Sequence, residues 1–228
     1  MTQTIVPTAF LFKAWFGIKK QDIQPRCTIA PSSIKVVAFP KGGAGMRVSY
    51  YPVITGCQSA VTFEVSDALR CFIKKISAWP EVKLSLENNE LNIAVESSTT
   101  AIQYVFPNLQ IHEDNYIEDH DDDQVVTIST QDWFQMWNTI PAKGSVTICL
   151  SKQTKVITLN HSTGRWKSAV VARAKPTRDV TLVIASGVAK SVFVGEPVGT
   201  FSELVFKHVG VLEWRCKNEK IYIAPIEE

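Results

Sequence analysis

Two stretches of this 228-residue chain can be laid on one another along their whole length. VTFEVSDALRCFIKKISAWPEVKLSLENNELNIAVESST, from Val61 to Thr99, matches VTISTQDWFQMWNTIPAKGSVTICLSKQTKVITLNHST, from Val126 to Thr163, at an offset of 65 that drops to 64 after the helical segment. Val-Thr-apolar opens both, and Asp67 falls on Asp132. An apolar segment follows, Ala68 to Ile76 against Trp133 to Ile140. Next come Val82, Leu84, Leu86 against Val146, Ile148, Leu150, and then Ile93, Val95 against Ile157, Leu159. Self-similarity of this length means that one supersecondary unit is used more than once, which restricts the fold to architectures assembled from copies.

Each part of the unit has a local physical reading. Ala68, Leu69, Phe72, Ile73 and Ile76 recur at helical spacing, with Ser66 or Asp67 as N-cap, so the spacing predicts an amphipathic helix. The alternation after it, with Asn88-Asn89 as a turn, predicts a half-buried antiparallel meander. The unit is therefore strand, helix, three strands. It extends to both ends of the chain. Thr8 caps a helix with Phe10, Leu11, Ala14, Trp15 and Ile18 on one stripe, followed by strands at 26–29, 34–39 and 46–51. Val180-Thr181-Leu182 repeats the opening, a short helix is expected over Ser186 to Phe193, and strands follow at 201–206, 211–215 and 221–224. Gly195, Pro197 and Gly199 make this fourth copy the least regular.

The chain is long enough for two small cores, so the expected organisation is an N-terminal domain over 1–106, a connector over 107–124 and a C-terminal domain over 125–228. With 45% hydrophobic and 20% charged residues, 11 Gly and 11 Pro, the composition is that of a globular α+β protein and excludes a disordered or fibrous chain. No run approaches about 18 apolar residues, and the first cations follow the apolar run of the N-terminus rather than precede it, so an intracellular chain with no membrane association is expected, not a secreted one. Cys27, Cys57, Cys71, Cys149 and Cys216 are odd in number, lie far apart and form no CxxC pair, which predicts reduced core residues and no structural zinc.

Net charge is only +2, but it is segregated. Between Pro107 and Asp123 lie Glu113, Asp114, Glu118, Asp119, Asp121, Asp122 and Asp123, with no Lys or Arg. Without those seven acids the chain has 24 basic against 15 acidic side chains. A cationic body with an acidic strap suits a polyanion partner.

Catalytic motifs are absent: no GxSxG, GxxxxGK[ST], GxGxxG after a strand, or HExxH. Lys41-Gly42-Gly43-Ala44-Gly45 lacks the Lys-Ser/Thr of a phosphate loop and leads into a strand, so a hairpin turn is expected there. His112 and His120 with Asp121, Asp122 and Asp123 have donors suited to a divalent cation, but without a Gly-centred calcium-loop spacing the segment reads as a solvated acidic linker. No metal and no cofactor are assigned. Should the chain be a small enzyme, Asp67, Asp132 and His161 are the first suspects; the equivalence of the two aspartates argues for helix capping instead.

The positive signal lies on the helices. Arg70, Lys74 and Ser77 share a face of the second helix with Lys75 beside them; Lys13 and Lys20 share a face of the first with Lys19 adjacent. Taken singly, each is an ordinary solvated face. Their recurrence on equivalent elements predicts one cationic surface without interleaved aromatics, suited to phosphate contact without base readout. The third helix carries Gln131, Gln135 and Asn138 there, with Lys143 nearby, and the fourth offers Lys190.

Doubled helix-and-strand units in two domains, an acidic connector and cationic helices together resemble DNA sliding clamps of the proliferating cell nuclear antigen type. The ending IYIAPIEE, from Ile221 to Glu228, is similar to that family's C-terminal tyrosine, Ala-Pro and acidic tail. TAFLFKAWFGIKK followed by RCTIAPSSIKVVAFP is similar to its first helix and next two strands.

The resemblance implies a homotrimeric ring around double-stranded DNA with helices inside and antiparallel sheets outside, at sites of replication, in the nucleus of a eukaryotic host. It also implies a pocket for short hydrophobic peptides of DNA polymerase and other replication proteins. By position, Tyr222, Ala224 and Pro225 form one wall, Phe39 the floor and Ile111 or Ile117 the lid; alternatively Tyr222 and Pro225 only close the last strand. A shorter chain than the usual eukaryotic clamp, a compressed fourth unit and a neutral third helix fit a divergent viral or phage-like clamp, or one that stays monomeric or dimeric. A transcription-associated scaffold with the clamp fold but no closed ring is the remaining alternative.

Overall fold

The computed structural model describes residues 4–16, 25–40, 44–55, 57–87, 90–107, 117–174, 176–193 and 199–226. One pattern, strand, helix and three strands, runs through it four times. The first copy is β1 (Thr4–Pro7), α1 (Thr8–Phe16), β2 (Arg26–Ala30), β3 (Ser33–Ala38) and β4 (Gly45–Pro52). The second is β5 (Val61–Glu64), α2 (Asp67–Lys75), β6 (Glu81–Glu87), β7 (Glu90–Glu96) and β8 (Ala101–Phe106). The third is β9 (Gln124–Ser129), α3 (Thr130–Thr139), β10 (Ser145–Leu150), β11 (Val156–His161) and β12 (Lys167–Val171). The fourth is β13 (Val180–Ala185), α4 (Ser186–Val192), β14 (Phe201–Phe206), β15 (Leu212–Cys216) and β16 (Glu219–Ile223).

Copies are paired by exchanging their opening strands. β1 pairs antiparallel with β6 and β5 with β2, while β9 pairs with β14 and β13 with β10. A single copy would leave its first strand with open hydrogen-bonding groups, so two copies are the smallest closed unit. Two compact units result. One holds Ile23–Ala38 and Val48–Tyr116 with the first strand and helix; the other holds Phe39–Arg47 and Ile117–Glu228. The first contains the strand orders β1-β6-β7-β8 and β5-β2-β3-β4, the second β12-β11-β10-β13 and β16-β15-β14-β9.

Each unit has its own core. In the first, Leu11, Ala14 and Trp15 of α1 and Leu69 and Ile73 of α2, with Ile76 just after it, bury against Val82, Leu84, Leu91, Ile93 and Val95. In the second, Trp133, Phe134 and Trp137 of α3 close around Phe193 and Trp214. Trp137 stacks on Phe193 at 5.5 Å, and Phe134 meets Trp214 edge to face at 5.2 Å. Each large apolar side chain removed from water contributes about 1.5–3 kcal/mol, so these clusters anchor the helices on their sheets.

The helix starts differ from the repeat-based expectation. The caps are serines: Ser66 Oγ accepts the N–H of Leu69 and Ser129 Oγ that of Asp132, each at 3.3 Å. Asp67 and Asp132 lie inside the first turns, where a carboxylate favours the positive end of the helix. Because Ser66 and Ser129 are 63 residues apart, α3 starts two residues earlier than the aligned aspartates imply. Thr8 does not cap α1; it is the first helical residue, buried, with its hydroxyl unbonded. Ala68, expected on the apolar stripe, is exposed. Of the cysteines only Cys27 is buried, and burial pushes its thiol up to about 12; Cys71 is exposed on α2, and none of the five is in a disulfide. Ile18, the Asn88-Asn89 turn, Gly195 and Pro197 lie outside the described residues.

Candidate functional site

The second unit carries an apolar cavity of about 170 Å³, lined by Phe39, Ala44, Gly45, Met46, Ile117, Val211, Tyr222 and Ala224. Backbone pairing builds it. Leu212 is opposite Ile223 on β15 and β16, so Val211 and Ala224 leave that ladder together. The N–H of Ala224 then donates to the carbonyl of Ala44 at 2.8 Å, bringing the start of β4 alongside. Gly45 is needed at this approach: a Cβ there would stand 3.0 Å from Val188 Cγ1 and 3.1 Å from the Tyr222 carbonyl. Arg47 Nη2 reaches both carboxylate oxygens of buried Glu219, at 2.9 and 3.0 Å, and fixes the same junction.

Of the residues expected around a pocket, Phe39, Ile117, Tyr222 and Ala224 line the cavity. Pro225 does not; its ring lies beside Gly210. Ile111 lies outside the described residues. Ala44, Gly45, Met46 and Val211 had no distinguishing sequence signal beyond the glycine of a turn.

Next to the cavity the strap is held by ions. Lys207, just after β14 and with no exposed side-chain surface, places Nζ 2.5 Å from Asp119 Oδ1, 3.0 Å from Asp123 Oδ2 and 3.1 Å from Glu213 Oε2. It also donates to the Glu118 carbonyl at 3.2 Å. Arg215 Nη1 reaches Asp119 Oδ2 at 3.1 Å, and the His208 N–H donates to Asp123 Oδ1 at 2.9 Å. The Lys207 hydrogen bond holds the Asp119 carboxyl below the usual range, outweighing desolvation. Desolvation works against ionised Asp123, but the His208 N–H and the Lys207 ammonium prevail and its carboxyl is also held low. Burial lowers the affinity of Lys207 for its proton, and the carboxylates Asp119, Asp123 and Glu213 more than restore it. The part of the connector over 117–123 is thus anchored rather than a freely solvated linker.

The cationic residues fall into several environments. Lys13 is exposed on α1, and Lys74 and Lys75 on α2. Arg70 is half-buried, 3.7 Å from Asp67, and Ser77 turns its hydroxyl onto the Lys74 carbonyl. Lys19 and Lys20 lie outside the described residues. Gln131, Gln135 and Asn138 are exposed on α3. Lys190 is directed to the end of α3, where Nζ donates to the Asn138 and Ile140 carbonyls at 3.3 and 2.9 Å. Lys143 is exposed in the turn after α3. His161 Nε2 donates to its carbonyl at 2.9 Å, and Nδ1 accepts the Thr163 N–H at 3.2 Å. That staple sets the turn against the β11–β12 hairpin, which carries exposed Arg165, a cation the repeat comparison passed over.

The enzyme suspects are not assembled. Asp67 and Asp132 occupy separate helix starts, and His161 is used up by backbone groups. The suspected cation ligands lie close together but are turned to other partners: His120 Nδ1 accepts the Asp122 N–H, Asp123 is bound to Lys207 and His208, and His112 lies outside the described residues. Among the described residues no helix is long and apolar enough to cross a membrane.

No protein-family model and no curated protein matches the chain in sequence. Solved structures match it in three dimensions. The crystal structure of Proliferating Cellular Nuclear Antigen from Entamoeba histolytica superimposes with a TM-score of 0.67 at 16% identity, over 99% of both chains. The DNA polymerase III beta chain from Streptococcus pneumoniae superimposes with a TM-score of 0.69 at 14% identity, over 100% of this chain and 66% of that one. The chain has the sliding-clamp fold: α+β, with four helices among the described residues on antiparallel sheets.

Proposed function

We propose that the chain is a non-catalytic DNA sliding clamp, a processivity factor that encircles duplex DNA and tethers replication proteins. The observation that carries this reading is the apolar cavity between the last strand and the acidic strap, in a chain whose fold is that of the sliding clamps. Such a cavity takes one or two large apolar side chains of a short peptide, and the exposed acids of the strap favour basic residues beside them. Phe39, Met46, Ile117, Tyr222 and Ala224 are its contacts.

DNA is contacted through phosphates by Lys13, Arg70, Lys74 and Lys75 of the first unit and by Lys143 and Arg165 of the second; Lys19 and Lys20, outside the described residues, join this set from the sequence alone. Lys190 has a structural task at the end of α3 and contributes little. Ring closure is supported by two of the sheet edges among the described residues. β8 is the outer strand of its sheet and exposes Ile102, Tyr104 and Val105, while β12 is outermost in another and exposes Val171. Unpaired apolar edges demand partners. β8 of one copy pairing with β12 of the next is a head-to-tail contact, the kind that closes rings.

The test is topological. Protein is mixed with linear duplex DNA, bulky groups are then attached to both ends, and salt is raised. A closed ring that has threaded over the ends stays on the blocked duplex and leaves the open one; equal release from both contradicts the proposal.

A further inference from the structure

We propose that Lys207 and Asp119 are positioning residues for the cavity: an ionic latch between them holds the strap so that Ile117 stays in the cavity wall. Ile117 is only two residues before Asp119, and the segment between has no strand partner to fix it. What fixes it is the charge cluster. The Lys207 ammonium takes the Glu118 carbonyl, Asp119 and Asp123 together, all from the strap, while Glu213 of β15 holds the ammonium from the other side. Arg215 grips Asp119 a second time at 3.1 Å. The backbone beyond is folded on itself: His120 N–H donates to Asp123 Oδ2, Asp122 N–H to His120 Nδ1 and Asp123 N–H to the His120 carbonyl, at 3.1, 3.2 and 3.0 Å. With the latch closed the cavity is preformed, and a ligand need not order the strap in order to bind. Opening the latch therefore weakens binding without removing any residue that touches the ligand.

The proposal rests on the peptide reading only for its binding arm, and its first readout needs no ligand. The full chain is compared with Asp119→Asn, Asp119→Glu and Lys207→Met. The Asp119 side chain is 61% exposed, so its replacement leaves the core intact. In Asp119→Asn, amide exchange at His120, Asp122 and Asp123 rises about tenfold and returns most of the way in Asp119→Glu, while the amides of β15 and β16 keep their rates. The binding arm uses a fluorescein-tagged peptide, Lys-Lys-Leu-Lys-Phe-Lys-Lys. Its affinity falls about fivefold in Asp119→Asn and falls also in Lys207→Met. The second result separates latch from simple charge, because removing a cation beside a basic peptide would by Coulomb attraction alone tighten binding. Unchanged strap exchange in Asp119→Asn, or tighter binding by folded Lys207→Met, overturns the latch. A strap that responds while no form binds the probe supports the latch and overturns the peptide reading of the cavity.

Discussion

Lys207 Nζ lies 3.1 Å from Glu213 Oε2, and neither side chain reaches solvent. A buried ammonium is tolerated only where carboxylates replace its water, and a buried carboxylate needs the cation in turn. Lys207→Met takes the nearest cation from Glu213, which keeps only Lys220 at 3.5 Å and Arg215 at 3.7 Å, and leaves nearly buried Asp123 to the His208 and His120 N–H groups; it should cost about 3 kcal/mol in urea denaturation. Adding Glu213→Leu should recover part of that loss. A single variant as stable as the wild type would mean that the ion pair is not formed.

The same cluster sets a pH window. Asp119 and Asp123 have carboxyls held below their unfolded values, so their contribution is present above the ordinary carboxylate range, about 4, and is lost as pH falls through their folded values. Lys207 binds its proton more tightly than in the unfolded chain, so its contribution is full below about 10.4 and is lost as pH rises past that. Protection of the His120 and Asp123 amides, whose acceptors are a carboxylate and a carbonyl, should, after correction for intrinsic exchange, drop at both ends, below about pH 4 and above about pH 10.4. Protection that survives at both extremes would contradict this assignment of charges.

Helix starts offer a sharper stability test. Ser66→Ala and Ser129→Ala should each cost about 1 kcal/mol, and Asp67→Ala and Asp132→Ala about half that or less, because only the serines bond a helix N–H. Thermal or urea unfolding of the four variants decides it; aspartate losses equal to or above the serine losses would restore the aspartates as caps.

These caps also show where the sequence is legible. Apolar residues at spacings of two and of three or four are local signals, so the four copies and the order of strands and helices could be read directly. Alignment placed Asp67 on Asp132 and suggested equivalent caps, yet capping depends on which hydroxyl meets the first free N–H, and α3 begins two residues early, at the hydroxyl of Ser129. Pairings between distant residues leave no local trace. Lys207 lies 84 and 88 residues from Asp123 and Asp119, so a run of strap acids looked like a solvated linker. The cavity was half legible: Phe39, Ile117, Tyr222 and Ala224 followed from resemblance to clamps, while Ala44, Met46 and Val211 arrive only through the hydrogen bond between Ala224 and Ala44. Lys190 looked like a surface cation until the carbonyls ending α3 claimed it.

For DNA, each phosphate contact should contribute about 0.9 to the slope of log affinity against log salt, with no preference among duplex sequences. A Lys13, Arg70, Lys74, Lys75 to Ala variant should lose several units of slope, Lys143→Ala with Arg165→Ala about two, and Lys190→Ala close to none. Fluorescence anisotropy with duplexes of several sequences across a salt series reads all three. A quadruple variant with wild-type affinity and slope would leave these faces as solvated surface.

Ring formation is read most directly from molar mass. Three chains of 25.4 kDa joined through β8 and β12 give a particle of about three times that mass by light scattering on a size-exclusion column. Ile102→Asp with Tyr104→Asp on β8 should return it to 25.4 kDa with the fold retained. A wild-type particle of 25.4 kDa at every concentration tested would contradict the ring.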